Sequence, residues 1–314
     1  MRLSLATSAL GAYLNARQDR MHILDTVAAI RGCGFTCMDY GIPESQLGND
    51  WAAQADALKQ RLTECGMTAS QAHAPFSSLS PQSKEYIALC RRALRFCARA
   101  GIPMMVVHPI KTDGCSRTEF LRMNADYYHH LLPTAEACGV QVLAENVGLP
   151  EEGYYLRNGA DLRAVVDAVD HPMLNACWDV GHGNFYDAPD CGLYDTILAL
   201  GEKLKALHIH DNCGNLPMAD RPYRMDMHMM PFMTPYATVN YDALMQGLLD
   251  IGYRGTFNFE TDAPRENPHR MRFVHQGKVV RRINGLPMEL WQYMNHGLYL
   301  TGKYMLETYG AYEE

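Results

Sequence analysis

The chain has 314 residues, 47% hydrophobic and 20% charged, a globular balance that excludes wholesale disorder. Its 28 Lys and Arg against 35 Asp and Glu give a formal charge of −7, which argues against a polyanion-binding protein, because such proteins present a clustered cationic face. The length suffices for two small domains or for one α/β barrel of roughly 250 residues.

In chain order, an apolar stretch at 3–9 reads as a first strand, and apolar i, i+3, i+4 spacing over 19–30 reads as a first helix. Strand 35–40 and helix 51–64 follow, then strand 68–74 and helix 83–100, then strand 104–109 and helix 117–138. The second half repeats the alternation: strand 140–146 with helix 160–169, strand 174–180 with helix 193–202, strand 204–211 with helix 241–251, and strand 256–261 with a long helix at 288–308. Gly32, Gly66, Gly101, Gly139 and Gly252 each fall between a helix and the next strand, where a left-handed helix end favours glycine. Eight βα units in strict alternation imply a parallel sheet, and this number predicts an α/β fold with a closed (β/α)8 TIM barrel. The alternative is an open doubly wound sheet, but no GxGxxG turn follows the first strand. The expected organisation is one domain over 1–314, with lid-like connections at about 212–240 and 262–287 on the C-terminal face of the barrel, where long loops carry function.

The ten cysteines form no CxxC pair and sit mostly in apolar runs such as LCRRALRFCARAG. They read as buried thiols in a reducing compartment. The N-terminal run MRLSLATSALGAYLNARQDR lacks a full signal-peptide hydrophobic region, and no stretch approaches the 18 apolar residues of a membrane span. The expectation is a cytoplasmic protein with no membrane and no nucleic-acid partner.

The chemistry gathers at the C-terminal ends of the strands. The second strand ends near Asp39, the third at His73, the fourth at His108 and the fifth at Glu145. The sixth ends in Asp179 and His182 (CWDVGH), the seventh in His208, His210 and Asp211 (LHIHDN), and the eighth in Glu260 (FNFET). Any one of these reads as an ordinary polar strand end or helix cap. Seven consecutive strands ending this way do not, because buried charge is costly unless paired or metal-bound. Glu145, Asp179, one of the two seventh-strand histidines and Glu260 would make a three-carboxylate, one-imidazole shell for one divalent ion, best suited to Mn2+, with Mg2+, Co2+ or Zn2+ as alternatives. Strand alternation puts His208 and His210 on one face, so periodicity does not choose between them.

With these motifs the sequence resembles the xylose-isomerase-like TIM-barrel superfamily, which joins sugar isomerases and epimerases to the endonuclease IV type of apurinic-site nuclease. The family's fifth-strand Glu matches Glu145, its D-x-x-H matches Asp179 and His182, its H-x-x-D matches His208 and Asp211, and its eighth-strand Glu matches Glu260. The resemblance implies His208 as the ligand. In the nuclease branch, His73 and His108 fall at first-metal positions and Asp226 and His228 at third-metal positions. In sugar-processing members such residues line the substrate pocket, and that assignment is expected here for His182, His108, His73, Asp39, His210, Asp226, His228 and Arg221. The Met-rich MDMHMMPFMTPY replaces a Gly-rich stretch frequent in the family and reads as an apolar lid.

The resemblance implies a divalent-metal-dependent sugar isomerase or epimerase that removes a proton alpha to a carbonyl through a metal-stabilised enediolate. Glu145 and Glu260 are the expected acid/base pair, with His182 or His108 as alternative proton carriers. A lyase or dehydratase on a keto-sugar or keto-glycoside would use the same site. The other readings are an apurinic-endonuclease-like phosphodiesterase and a non-catalytic sugar-binding subunit. The expected partner is a small carbohydrate or keto-sugar, with a homo-oligomer possible through the C-terminal helix.

Overall fold

The structure is a computed structural model of the chain and describes residues 1–9, 23–111, 114–147, 155–185, 192–214, 226–232, 235, 237–262, 274–280 and 287–314. Its core is eight parallel strands: β1 (Leu3–Ala6), β2 (Cys37–Gly41), β3 (Thr68–His73), β4 (Met104–Val107), β5 (Gln141–Glu145), β6 (Leu174–Asp179), β7 (Leu204–His208) and β8 (Phe257–Phe259). They lie side by side in the order β7-β6-β5-β4-β3-β2-β1-β8. The two ends of that order meet just past β7. There Ile209 bridges Phe259, its N–H donates to the Asn258 carbonyl at 2.9 Å, and its carbonyl accepts from the Glu260 N–H at 3.0 Å. The sheet therefore closes into the TIM barrel that the eight alternating units predict.

The helices form where the apolar spacing places them, and their ends follow local chemistry. Helix α1 spans Asp25–Gly32, α2 spans Trp51–Glu64 and α3 spans Lys84–Ala100. Ser83 caps α3 by accepting from the Tyr86 N–H at 3.1 Å, and Gly101 ends it with φ 81°. The single helix predicted over 117–138 is two, α4 (Arg117–His129) and α5 (Leu132–Cys138). The break follows from Pro133 in the first turn of α5: proline has no N–H to donate, and its ring clashes with the carbonyl four residues earlier. Helices α6 (Gly159–Val169), α7 (Val180–Asn184), α8 (Gly192–Leu200), α9 (Tyr241–Asp250) and α10 (Met288–Thr308) complete the outer layer, and Val274–His275 and Lys278–Val279 form a short antiparallel pair. The predicted helix start at residue 19 and most of the two long connections fall outside the described residues, as do Arg221 and parts of the Met-rich segment. Among the described residues no helix is long and apolar enough to cross a membrane.

The large apolar cluster lies between the strands and the helices, and includes Leu5, Met38, Phe96, Trp178, Phe257 and Phe259. The interior of the barrel is filled differently on its two sides. On β4 to β7, Val106, Leu143, Cys177 and Ala206 form a small apolar cluster of their own. On β2, β3 and β8 the fill is polar: Asp39, Gln71 and Asn258 are all at most 1% exposed and hydrogen-bonded to one another through Asp39 Oδ2. Nine cysteines are described, and all are free. Burial pushes the Cys177 and Cys33 thiols up to about 12, so they behave as small hydrophobes.

Candidate metal centre at the barrel mouth

Above this interior layer the strand ends bring ionisable side chains into three groups, each with its ligand atoms within 4.8 Å of one another. Glu145, Asp179, His208 and Glu260 form one, the set that the family resemblance implies. His73, His108 and Glu145 form the second, sharing Glu145 with the first. His182, His210, Asp226 and His228 form the third.

In the first group His208 is fully buried and stands between two carboxylates. Its Nδ1 lies 2.8 Å from Glu145 Oε1 and 3.1 Å from Glu260 Oε2. Burial raises the Glu145 carboxyl, but His208, His108 and His73 outweigh that effect and hold it well below the usual carboxylate range. Glu260 is likewise raised by burial and brought far below its usual value by His208 and His228. His208, which burial alone would push down, is held well above its ordinary value by Glu260, Glu145 and its bond to Asp39. In the second group His73 Nε2 and His108 Nε2 face each other at 2.9 Å, with Glu145 Oε2 at 3.5 and 3.2 Å.

The third group depends on the β7–α9 connection. Asp226 Oδ2 lies 3.1 Å from both His182 Nε2 and His228 Nε2. His210 stacks on His228, ring centroids 3.9 Å apart and 13° from parallel, and its Nε2 is 3.0 Å from Asp179 Oδ1. Burial works against the protonated imidazoles, yet Asp179 and Asp226 bring His182 to about 9, and Asp226 and Glu260 bring His228 to about 10. The connection is held by main chain. Asp211 and Met229 exchange backbone hydrogen bonds at 2.8 and 2.9 Å, and the Asp262 N–H donates to the His228 carbonyl at 2.9 Å. Asp211 Oδ1 also accepts from the Asn212 and Thr238 N–H groups at 2.9 and 3.2 Å. His228 itself has φ 39°, a left-handed backbone that costs energy for a non-glycine residue and persists only where surrounding contacts enforce it.

One regularity runs through all three groups. His73 Nδ1–H donates to the Ala74 carbonyl at 2.9 Å, His182 Nδ1–H to the Asn146 carbonyl at 3.0 Å and His228 Nδ1–H to the Glu260 carbonyl at 2.8 Å. In His208 the roles of the ring nitrogens are exchanged, with Nε2–H toward Asp39 Oδ2 at 3.0 Å. Each ring is thereby tied by one nitrogen and offers the other to its group, the arrangement by which proteins fix the tautomer of metal-ligating histidines. Glu145 Oε2 has less than 1 Å² exposed and, beside the two imidazoles at 3.2 and 3.5 Å, makes no well-aligned hydrogen bond among the described residues. The donor set of carboxylate oxygens and imidazole nitrogens fits a divalent cation.

Asp39 is expected among the substrate contacts. Its carboxylate instead lies beneath His208, 1% exposed, with Gln71 Nε2 at 2.9 Å and Asn258 Nδ2 at 3.2 Å, so it faces protein. Glu145 and Glu260, the expected acid/base pair, converge on the His208 imidazole. The sequence reading passed over Asn146, whose amide is bonded both ways to the Asp179 main chain at 2.7 and 2.8 Å. It also passed over Gln71 and Asn258. Buried amides carry no pattern of their own; the only cue was polarity at strand positions that alternation turns inward.

The model of the xylose isomerase-like TIM barrel family matches residues 27–276. The chain belongs to that family. An uncharacterised protein, y4fM of Sinorhizobium fredii (strain NBRC 101917 / NGR234), is 24% identical over 193 residues, which is 59% of this chain and 55% of that protein, so the match spans little more than half the relative's length. Among solved structures, D-psicose 3-epimerase with D-tagatose from Clostridium cellulolyticum H10 superposes with a TM-score of 0.70 at 18% identity, covering 98% of this chain and 99% of that one. A D-tagatose 3-epimerase-like protein gives 0.65 at 20% identity over 84% of this chain and 91% of that one. The 3-keto-D-glucoside 4-epimerase YcjR from E. coli gives 0.62 at 19% over 85% and 94%. At these identities the likeness is one of fold.

Proposed function

We propose that this family member is a divalent-metal-dependent sugar epimerase or isomerase, with Glu145, Asp179, His208 and Glu260 as the ligands of one ion, Mn2+ by preference. The observation that carries the reading is the position of His208 Nδ1 between Glu145 Oε1 and Glu260 Oε2, at 2.8 and 3.1 Å, with Asp179 in the same group. The epimerases that share the fold act on ketoses and keto-glucosides by their names, and a small keto-sugar is the substrate class proposed here. A cation held there would polarise a carbonyl and a neighbouring hydroxyl, stabilising charge that develops on oxygen by several kcal/mol, on the order usual for such sites. The chain's own part is positioning and proton transfer. Glu145 and Glu260 come from strands three apart in the ring and reach the centre from different sides. One takes the proton alpha to the carbonyl and the other returns one, each step contributing roughly 10²–10⁴-fold. His182 and His108 orient substrate hydroxyls beside them. We take the chain as a single barrel domain over 1–314.

The test is incorporation of solvent deuterium beside the carbonyl, across a panel of ketoses and keto-glucosides, with added Mn2+. Metal-dependent label that is lost in Glu260→Gln supports the reading. No exchange with any member of the panel, in protein shown to hold metal, overturns it.

The second and third groups favour a second reading, hydrolysis of a phosphodiester by a cluster of ions. Nicking of plasmid carrying abasic sites, abolished in Glu145→Gln, would establish it in place of the first.

A further inference from the structure

His73, His182 and His228 tie their second nitrogen to a backbone carbonyl, but His208 ties its own to a side-chain carboxylate. Asp39 is 1% exposed, and a carboxylate in such a place is costly unless it is bonded. Oδ2 alone takes all three bonds: Gln71 Nε2 at 2.9 Å, His208 Nε2 at 3.0 Å and Asn258 Nδ2 at 3.2 Å. The partners come from β3, β7 and β8, three separate strands, so the carboxylate is fixed in three directions. Parallel pairing of Asp39 with Gln71 on the adjacent strand sets the first of these contacts. The barrel interior is otherwise apolar on the β4 to β7 side. The polar set occupies the part of the layer from which a side chain reaches under His208.

We propose that Asp39, braced by Gln71 and Asn258, is a positioning residue that holds His208 with Nε2–H toward the barrel interior and Nδ1 between Glu145 and Glu260. The inference rests on the metal reading above and adds the device that orients its one imidazole ligand. A bond to an anionic acceptor fixes the tautomer more firmly than a carbonyl does and makes the ligating nitrogen more basic. Gln71 and Asn258 act one step further out. Without them the carboxylate would be free to turn its other oxygen to His208, and the ring would lose its fixed tilt.

The test is titration of the chelator-treated full chain with Mn2+ and with Co2+, read by calorimetry and by the visible spectrum of bound Co2+, beside the melting temperature of the metal-free protein. Asp39→Asn keeps the shape but not the charge and is expected to weaken binding about 10–100-fold and to alter the Co2+ spectrum. Gln71→Leu and Asn258→Leu are expected to do both to a smaller degree. Affinity and spectrum that match the wild type in a folded Asp39→Asn overturn the proposal. If Asp39→Asn does not fold, Gln71→Leu decides, and an unchanged affinity and spectrum there overturn it equally. A wild type that takes up neither metal sinks the metal reading together with this inference, whereas wild-type uptake with unaffected variants sinks the inference alone.

Discussion

A side chain at residue 181 would put its Cβ 2.0 Å from Cε1 of His210. Gly181 lies in α7, two residues after the β6 Asp179, and His210 is fully buried, bonded to Asp179 and stacked on His228. The Asp179 contact and the His228 stack hold the imidazole in that place. Gly→Ala within a helix ordinarily stabilises by about 0.4–1 kcal/mol through the unfolded chain. Here the sign is expected to reverse, with Gly181→Ala costing about 1–3 kcal/mol through overpacking and disturbing the third group. Thermal unfolding of the metal-free protein checks this, and a melting temperature equal to or above the wild type would refute it.

Glu145 belongs to two groups at once, and its two oxygens divide between them: Oε1 toward His208, Oε2 toward His108 and His73. Removing its charge should therefore do more than removing that of Glu260. In the deuterium-exchange assay Glu145→Gln is expected to lose roughly 10²–10⁴-fold, the usual worth of a positioned acid or base, and to lose metal as well. Metal analysis of both variants separates the two effects. Exchange left intact in Glu145→Gln would remove it from the acid/base pair.

The sequence carried most of the barrel because hydrophobic periodicity and glycine helix ends are local signals. The helices at 51–64 and 288–308 begin and end as predicted. Over 117–138 the apolar spacing carries through unbroken, while the steric effect of Pro133 acts on a single turn and divides the helix. At the site, residue types at strand ends were legible, since buried His, Asp and Glu stand out against apolar neighbours. The partition among them was not. His208 and His210 are two residues apart on one face, and only the side-chain directions show one turned to Glu145 and the other to Asp179. Asp39 shows the same limit: a strand-end carboxylate reads alike whether it points up at the mouth or lies beneath a ligand.

The raised histidines give the metal-free protein a definite pH response. His182 at about 9 and His228 at about 10 lie above the ordinary 6.5 because Asp179, Asp226 and Glu260 favour their charged forms over the opposing effect of burial. Groups with raised folded values stabilise fully below the unfolded value and lose that contribution as pH rises through the folded one. Asp226 is shifted down, so its contribution holds above the usual carboxylate range and fades only as the solution becomes strongly acidic. The metal-free melting temperature is expected to fall between pH 6.5 and 10, and a flat or rising profile over that interval would contradict the pairing. The same protons oppose cations at the third group, so metal affinity there should increase across the interval.

The number of ions separates the two functional readings. His73 and His108 contribute only to the second group, and Asp226 and His228 only to the third. If the chain binds a single ion at Glu145, Asp179, His208 and Glu260, then His108→Ala and Asp226→Asn should each leave the tight metal content at one per chain while raising KM for the keto-sugar, because their imidazole or carboxylate meets substrate. If the centre is a cluster, each of those substitutions should remove one ion from a wild-type content above one. Elemental analysis of the purified wild type and both variants, run beside the exchange assay, gives the count directly. The expected result is one tight ion throughout; stepwise loss from three would shift the assignment to the phosphodiester chemistry.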